Sequence, residues 1–329
     1  MEKLRFIAGS GRSGTTWVQD AVATANCLRP VFEPLNPYAS QIGWKYALRT
    51  LNPDATHDDL KVFLDDVFAG KRARLWTRYR RQWRWFLPRS AELRMASRGP
   101  NVLNRWARFA REVPRLAHMA SMDSPLVKCI WSNLLLGWLS RRYDCRLVLI
   151  VRHPGAVIES ELRNKWNAQF AVDRFRNDAT FDVMTGGRYR GLLEKDLAPI
   201  EGLAVRWLVE NQWNIEQATK LPITVVHYEH LSSQSDAAWK RVCDALDLQR
   251  APDKKTISRP SQQSAQHGSA ARTQGEEGPR WQSSLTSEQK GRIQEVLSAG
   301  RCELYSMDSH HPRDSGASTK GALAQEIAR

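Results

Sequence analysis

A glycine- and serine-rich segment near the start of the chain has the composition of an anion-binding loop. Residues 9–17 are Gly-Ser-Gly-Arg-Ser-Gly-Thr-Thr-Trp, between an apolar run at 4–8 and a stretch with helical apolar spacing at 15–25. The run predicts a strand and the stretch predicts a helix. Backbone N–H groups of such a loop can converge on one anion, and the helix N-terminus adds its dipole. The segment also supplies hydroxyl donors and one cation: Ser13, Thr15, Thr16 and Arg12.

The spacing of this loop is close to that of the nucleoside triphosphate P-loop, GxxxxGK[ST], but one residue differs. Gly9 and Gly14 occupy the glycine positions, whereas Thr15 stands where the lysine belongs, and the cation is Arg12. That lysine normally reaches the β- and γ-phosphates of a triphosphate. A P-loop-like nucleotide kinase or NTPase without its lysine is therefore one alternative, and a glycine-rich turn that binds nothing is another.

A second candidate anion site follows the most apolar segment of the chain. Residues 145–151, CRLVLIV, have the texture of a central parallel strand that is covered on both faces. Arg152 follows directly, where the carboxyl ends of strands in open α/β sheets bind ligands. Pro154 suits the first turn of a helix, along which Ser160 follows. Taken alone, this pattern fits a salt-bridged arginine and a solvent-facing serine equally well.

Together the two motifs resemble those of the PAPS-dependent sulfotransferases, in particular the bacterial and carbohydrate members. That family has a [KR]SGTTW-like core after its first strand and an RxPxxxxxS pattern later, matched here by residues 12–17 and by Arg152, Pro154 and Ser160. The resemblance implies that 3′-phosphoadenosine 5′-phosphosulfate (PAPS) is the sulfuryl donor and that no metal is required. It assigns the 3′-phosphate to Arg152 and Ser160, and the 5′-phosphosulfate to the loop residues Gly11, Arg12, Ser13, Gly14, Thr15, Thr16 and Trp17. Residues 228–231 and 280–289 resemble later family segments more weakly.

Sulfuryl transfer to a hydroxyl also needs a base and groups that stabilise charge on the oxygens. Glu33 is the favoured base, because it follows the first crossover and its FEPL context resembles carbohydrate sulfotransferases. The alternative is that Glu33 pairs with a cation such as Arg12 or fixes a loop. Cytosolic animal sulfotransferases use a histidine instead, for which His118 and His153 are the conceivable substitutes.

Two cations are candidates for the charge-stabilising role. Arg12 would serve the leaving phosphate. Lys128 ends a predicted strand at 126–130, so its charge suits the sulfuryl oxygens, although a lysine that only caps the strand end is an equal alternative.

The alternation of predicted strands and helices indicates an α/β, three-layer, P-loop-like fold, with a central parallel sheet and helices on both faces. Residues 1–305 are predicted to form a single domain with a helical insertion at 57–120. Residues 250–282 are too polar and too long for an ordinary loop and are predicted to form a lid. Residues 306–329 are predicted to be a disordered tail.

Composition limits the partners without choosing among them. Lysine and arginine total 49 against 35 acidic residues, a net charge of +14 that favours anionic partners. No dedicated nucleic-acid motif is present, so a specific nucleic-acid partner is not expected.

The five scattered cysteines, without a CxxC pair, argue against a disulfide framework and a zinc site. No apolar run is long enough to span a membrane, and a cytoplasmic protein is expected.

The arginine- and tryptophan-rich stretch at 72–85 has three interpretations. It could stack on a sugar or an anionic acceptor, form an amphipathic helix with a solvated basic face, or rest on an anionic membrane surface. The tryptophan content and the FEPL segment favour a carbohydrate or glycolipid as the acceptor.

Overall fold

The computed structural model describes residues 3–71, 124–259 and 279–313. The stretch at 72–85 and His118 lie outside these residues. So do most of the predicted insertion at 57–120, the middle of the predicted lid at 250–282, and the predicted tail beyond residue 313.

A parallel sheet forms the centre of the described part of the chain. The strands are β1 (Leu4–Ala8), β2 (Arg29–Phe32), β3 (Pro125–Lys128), β4 (Cys145–Val151) and β5 (Ile223–His227). Their order in the sheet is β2-β3-β1-β4-β5, and every neighbouring pair is parallel. Lys128 at the end of β3 lies beside Ile7 of β1 and Phe32 of β2, so the carboxyl ends of the strands meet at one edge.

Helices connect and cover these strands, and a short 3₁₀ turn at Asn133–Leu135 follows β3. The first half of the described chain contains α1 (Thr15–Asn26), α2 (Gln41–Tyr46), α3 (Asp58–Phe68), α4 (Leu136–Arg142), α5 (Pro154–Arg163), α6 (Gln169–Arg176) and α7 (Ala179–Thr185). The second half contains α8 (Arg190–Leu193), α9 (Pro199–Gln217), α10 (Tyr228–Ser232), α11 (Asp236–Ala245), α12 (Lys254–Ile257), α13 (Arg280–Ser284) and α14 (Ser287–Ala299).

Alternate strand residues build two separate cores. Phe6 and Leu149 belong to the larger core, which α9 and α14 cover, whereas Ile7 and Val148 belong to a smaller core under α1 and α11. Each fully buried side chain of this size contributes roughly 1.5–3 kcal/mol relative to leaving it exposed. Because both faces of the sheet are covered, the predicted three-layer α/β fold with a parallel sheet is confirmed.

The longest of these helices, α9, is buried on most of its surface. It packs against α5, α6 and α14, and its buried residues include charged and amide side chains as well as apolar ones. A helix in this position brings polar groups into the interior, where each needs a partner. Those groups lie next to the loop after β1.

The chain after α14 returns to the core. Tyr305, Ser306 and Met307 are buried. The carbonyl oxygens of Ser306 and Ser309 lie 3.0 and 2.8 Å from Nε2 of His153. The first residues of the segment predicted as a tail therefore pack against the end of β4.

No helix in the described ranges has both the length and the apolar character needed to cross a bilayer. The cytoplasmic location and the contact with an anionic membrane stay predictions.

Candidate functional site

The loop after β1 has a backbone that few residues other than glycine could adopt. Gly9 and Gly14 have φ angles of 145° and 88°, and Arg12 has φ 64°. A Cβ atom on Gly9 would lie 2.4 Å from the carbonyl oxygen of Ile150, and one on Gly14 would lie 2.5 Å from the ring of Tyr228. The two glycines are therefore required for close packing of the loop onto β4 and α10 as well as for its turn.

Polar side chains from two other elements hold this loop. The Gly9 N–H donates to Oδ1 of Asn133 at 3.0 Å, in the turn after β3. Nδ2 of Asn211 on α9 donates to Oγ of Ser10 at 3.2 Å. Within the loop, the Ser13 hydroxyl donates to the Ser10 carbonyl at 2.6 Å. Since these bonds fix the backbone, its N–H groups are oriented without help from a ligand.

The two predicted anion motifs are in direct contact. Nε of Arg12 donates to Oγ of Ser160 at 2.8 Å, and Nη1 of Arg152 donates to the Arg12 carbonyl at 2.9 Å. Nη2 of Arg163 also approaches Ser160 Oγ, at 3.4 Å. Burial lowers the pKa of Arg12, and the charges of Arg152 and Arg163 lower it further. Like charges held this close favour an anion with several negative groups.

Aromatic and acidic residues of α9 and α10 fix Arg152 and the residue that follows it. The guanidinium of Arg152 lies 4.3 Å from the centre of the Tyr228 ring, a cation–π contact. The backbone carbonyl oxygen of Arg152 accepts a hydrogen bond from Nε1 of Trp207 at 2.9 Å. Oε1 of Glu229 accepts from the His153 N–H at 2.8 Å. The segment at 228–231, which sequence analysis related only weakly to the family, thus orients the second anion motif.

The environment of His153 suits a structural role rather than the role of a base. The side chain is fully buried, and the ring stacks on Trp281 with centroids 4.3 Å apart. Nδ1 accepts from the Gly155 N–H at 3.1 Å, so Nε2 carries the proton that faces the carbonyls of Ser306 and Ser309. Burial lowers the pKa of His153 to about 4. Neither ring nitrogen is free to take a proton from an acceptor.

Glu33 and Lys128 come together as a buried ion pair. Oε1 of Glu33 pairs with Nζ of Lys128, and Oε2 accepts from the Ile130 N–H at 2.9 Å. The side chains are only 6% and 3% exposed. Glu33 follows β2 directly with φ 48°, and its N–H donates to the Lys128 carbonyl at 2.8 Å. The alternative in which Glu33 pairs with a cation therefore applies to Lys128 rather than to Arg12.

The remaining loop residues lie in the first turn of α1. Thr15 and Thr16 are buried there. Trp17 packs edge-on against Tyr228 and Trp239, and its Nε1 donates to the Ile257 carbonyl at 2.9 Å. Trp17 therefore joins α1 to α11 and α12, and its N–H is already bonded to protein.

Four aromatic residues that the sequence motifs did not indicate form a surface, here called the aromatic platform: Tyr38, Trp44, Trp131 and Phe170. Successive ring centroids are 6.3 Å apart for Tyr38–Trp131, 6.2 Å for Trp131–Phe170 and 5.4 Å for Phe170–Trp44. Tyr38 is 74% exposed and Trp44 is 53% exposed. The residues come from separate loops and helices without a common period, so the sequence pattern gave no indication that they meet.

The described residues contain no group of three or more His, Cys, Asp or Glu side chains placed to hold a metal ion.

Comparison with known proteins gives a fold-level likeness only. No family model and no curated protein matches the sequence. Among solved structures, the chain is similar to a sulfotransferase domain of the Synechococcus PCC 7002 olefin synthase, with 15% identity, a TM-score of 0.43, and coverage of 92% of this chain and 96% of that one. It is also similar to a sulfotransferase domain of the curacin biosynthetic pathway, with 16% identity, a TM-score of 0.40, and coverage of 80% and 78%. Because both alignments are loose, the functional conclusions below rest on the residues of the site.

Proposed function

We propose that this protein is a sulfotransferase that uses PAPS as its donor. The contact between Arg12, Ser160 and Arg152 carries the proposal, because it joins two anion-binding motifs at one sheet edge. PAPS has a phosphosulfate on the 5′ side of its ribose and a phosphate on the 3′ side. The loop after β1 suits the first of these groups, and Arg152 with Ser160 suits the second.

The kinase or NTPase alternative fits the site less well. Thr15 occupies the place of the lysine that would reach the β- and γ-phosphates. An apolar strand of such enzymes ends in an acidic residue that helps to hold Mg²⁺, whereas β4 is followed by Arg152. An arginine there would repel a metal ion and attract a further phosphate.

The residues of the site supply the groups that an in-line sulfuryl transfer needs. The acceptor oxygen forms a bond to sulfur while the bond between sulfur and the bridging oxygen breaks. The electron pair of the broken bond stays on that oxygen, which leaves as part of the 5′-phosphate of 3′-phosphoadenosine 5′-phosphate (PAP). Glu33 takes the acceptor proton, and Lys128 and Arg12 stabilise charge on the transferring and leaving oxygens. The Glu33–Lys128 ion pair keeps a base and a cation next to each other.

Thermal unfolding with nucleotides tests the donor. We expect PAP to raise the free energy of unfolding by about 2.7 kcal/mol at a hundred times its Kd. ADP is the matched control, because it also carries two phosphates but none on the 3′ oxygen, and ATP tests the kinase alternative. Stabilisation by ADP or ATP equal to that by PAP would refute the assignment of Arg152 and Ser160 to a 3′-phosphate.

A carbohydrate or glycolipid acceptor is proposed to lie on the aromatic platform. Trp131 follows Lys128 by three residues and Tyr38 follows Glu33 by five, so two of its residues are close in sequence to the proposed base and cation. Its exposed rings offer flat apolar faces, and the guanidinium of Arg174 lies 5.1 Å from the ring centres of both Trp44 and Phe170. Pockets for small organic ligands combine such apolar faces with a few polar groups.

Trp44→Ala is expected to raise the KM for the acceptor roughly 2- to 12-fold, since one aromatic contact is worth about 0.5–1.5 kcal/mol. PAP affinity and kcat should stay unchanged, because the ring binds ground state and transition state alike. The assay follows transfer of labelled sulfate from PAPS to neutral sugars, glycolipids and small phenols. Val183→Ala, at a residue 79% exposed on α7, is the control. An unchanged KM in Trp44→Ala, or activity on phenols alone, would count against this acceptor assignment.

A further inference from the structure

Three charged side chains are buried beneath the loop after β1, and they are called the buried triad here: Glu161 of α5, and Arg206 and Glu210 of α9. Their side chains are 2%, 6% and 0% exposed. Nε of Arg206 donates to Oε1 of Glu210 at 2.9 Å, and Nη1 of Arg206 lies 3.5 Å from Oε1 of Glu161. One guanidinium thus faces two carboxylates.

Hydrogen bonding within the buried triad is incomplete. Nη2 of Arg206 is buried and has no hydrogen-bond partner among the described residues, whereas Glu210 is bonded by Arg206 and by the side chain of Asn133. Two of the nearby charges are already paired, Glu33 with Lys128 and Arg163 with Glu159, whereas Arg12 of the loop offsets part of the negative charge at Glu161. If both carboxylates are ionised, one buried negative charge is left over, and such a charge is unfavourable in the interior.

The buried triad lies against the loop that is proposed to hold the phosphosulfate. A Cβ atom on Gly11 would be 3.3 Å from Oε1 of Glu161 and 3.6 Å from Nη2 of Arg206. The surplus negative charge therefore lies directly against a residue of the loop that is proposed to bind the anion. Salt screens buried charges much less than exposed ones. Binding of a multiply charged nucleotide and full ionisation of the buried triad oppose each other.

The charged groups around Glu161 set how easily it gains a proton. Burial, with the charge of Glu210 adding to the effect, raises the pKa of Glu161 to about 7 against the opposing charges of Arg206 and, in the loop, Arg12. Burial also raises the pKa of Glu210, with Glu33 adding to the effect. The two carboxylates titrate together and can therefore gain a proton near neutral pH.

We propose that the buried triad takes up one proton, held mainly by Glu161, when the donor nucleotide binds. Glu161 is then a positioning residue that adjusts the charge beneath the loop to that of the ligand. This inference rests on the proposed function, because the anion in question is the nucleotide. Linkage makes the coupling reciprocal, so a proton on Glu161 strengthens nucleotide binding and its loss weakens it. Nucleotide affinity should therefore fall as the pH rises above about 7, by at most tenfold per pH unit.

Calorimetry with PAP on the full chain measures the proton directly. Binding heats at pH 8 in buffers with different ionisation enthalpies should depend on the buffer, with a slope that corresponds to uptake of about one proton. The phosphates of PAP do not contribute, since their second pKa lies at about 6. His153 and His227 do not contribute either, because burial lowers the pKa of each to about 4. At pH 6 the part of the slope that comes from Glu161 should shrink, because Glu161 already carries its proton, while the phosphates, which titrate there, contribute equally in the original protein and in Glu161→Gln.

Glu161→Gln separates this role from a merely structural one. The neutral amide resembles the protonated state, so the variant should bind PAP without proton uptake. Its affinity should be about tenfold higher than that of the original protein at pH 8 and equal at pH 6, because the original protein must first gain a proton at pH 8. Glu216→Gln is the matched control: Glu216 is on α9, the helix of Arg206 and Glu210, but pairs with Arg188, and this variant should keep the proton uptake.

The outcomes distinguish this inference from the proposed function. Absence of PAP binding at both pH values would overturn both. Binding with heats that do not depend on the buffer would overturn the inference alone. An unchanged slope in Glu161→Gln would also overturn it, as would weaker binding at both pH values, which is the result expected of a packing residue. Should Glu161→Gln fail to fold, Glu210→Gln gives a second test. In that variant Glu161 is the only carboxylate of the buried triad, its charge is balanced by Arg206, and it should no longer take up a proton when PAP binds.

Discussion

Glu33→Gln is expected to lower turnover by about 10²–10⁴-fold, the range for loss of a general base. The amide keeps the shape of the carboxylate and can still accept the hydrogen bond that the Ile130 N–H donates at 2.9 Å. It cannot take a proton from the acceptor hydroxyl. PAP should still bind, because Glu33 does not contact Arg152 or Ser160. Single-turnover transfer of sulfate from PAPS, with PAP affinity measured in parallel, tests this expectation.

The ion pair with Lys128 requires a control for stability. A buried lysine without its partner typically costs about 3–5 kcal/mol, so the single variant will also be destabilised. Replacing both partners, as in Glu33→Gln with Lys128→Met, removes the unpaired charge and should recover most of that loss. If Glu33 is the base, the double variant regains stability and keeps PAP binding while turnover stays low, a loss to which the removal of Lys128 also contributes. Recovery of turnover along with stability would mean that the base lies elsewhere.

Arg152→Ala is expected to weaken PAP binding by about 10- to 150-fold, since losing one charge-assisted hydrogen-bond partner typically costs about 1.5–3 kcal/mol. Affinity for ADP should fall less, because ADP has no 3′-phosphate. Some loss for ADP is expected, since Nη1 of Arg152 also holds the Arg12 carbonyl at 2.9 Å. Titration calorimetry with both nucleotides measures the two affinities.

Arg146→Ala is the control for charge, because Arg146 is on β4, the strand that Arg152 follows, but pairs with Asp144 at the opposite edge of the sheet. Equal losses for PAP and ADP in Arg152→Ala would show that Arg152 only supports the loop. An affinity for PAP that does not change would remove the 3′-phosphate assignment altogether.

Much of the fold could be predicted because its central strands have an unambiguous composition. β1, β4 and β5 begin and end where the apolar runs do, at 4–8, 145–151 and 223–227. The anion motifs follow two of these strands directly. Since parallel strands align their carboxyl ends, sequence alone could bring Arg12 and Arg152 to the same edge of the sheet.

The partners of the buried charges could not be predicted, because they depend on register and on packing between distant elements. Glu33 meets Lys128 because Phe32 pairs with Lys128 in the register of β2 on β3, 95 residues away along the chain. Arg206 and Glu210 have the i, i+4 spacing of an ordinary surface ion pair. Only the burial of α9 on most sides reveals that this pair is interior.

The position of β1 in the sheet has a consequence for how the chain folds during synthesis. β1 pairs with β3 and β4, whose first residues are Pro125 and Cys145. Neither partner exists until about 120 further residues have been translated, which takes roughly 6–24 s at about 5–20 residues per second. During that interval an apolar strand and its glycine-rich loop have no sheet to join. Pairing over such distances along the chain is slow, and we expect the nascent chain to depend on chaperones until β4 has emerged.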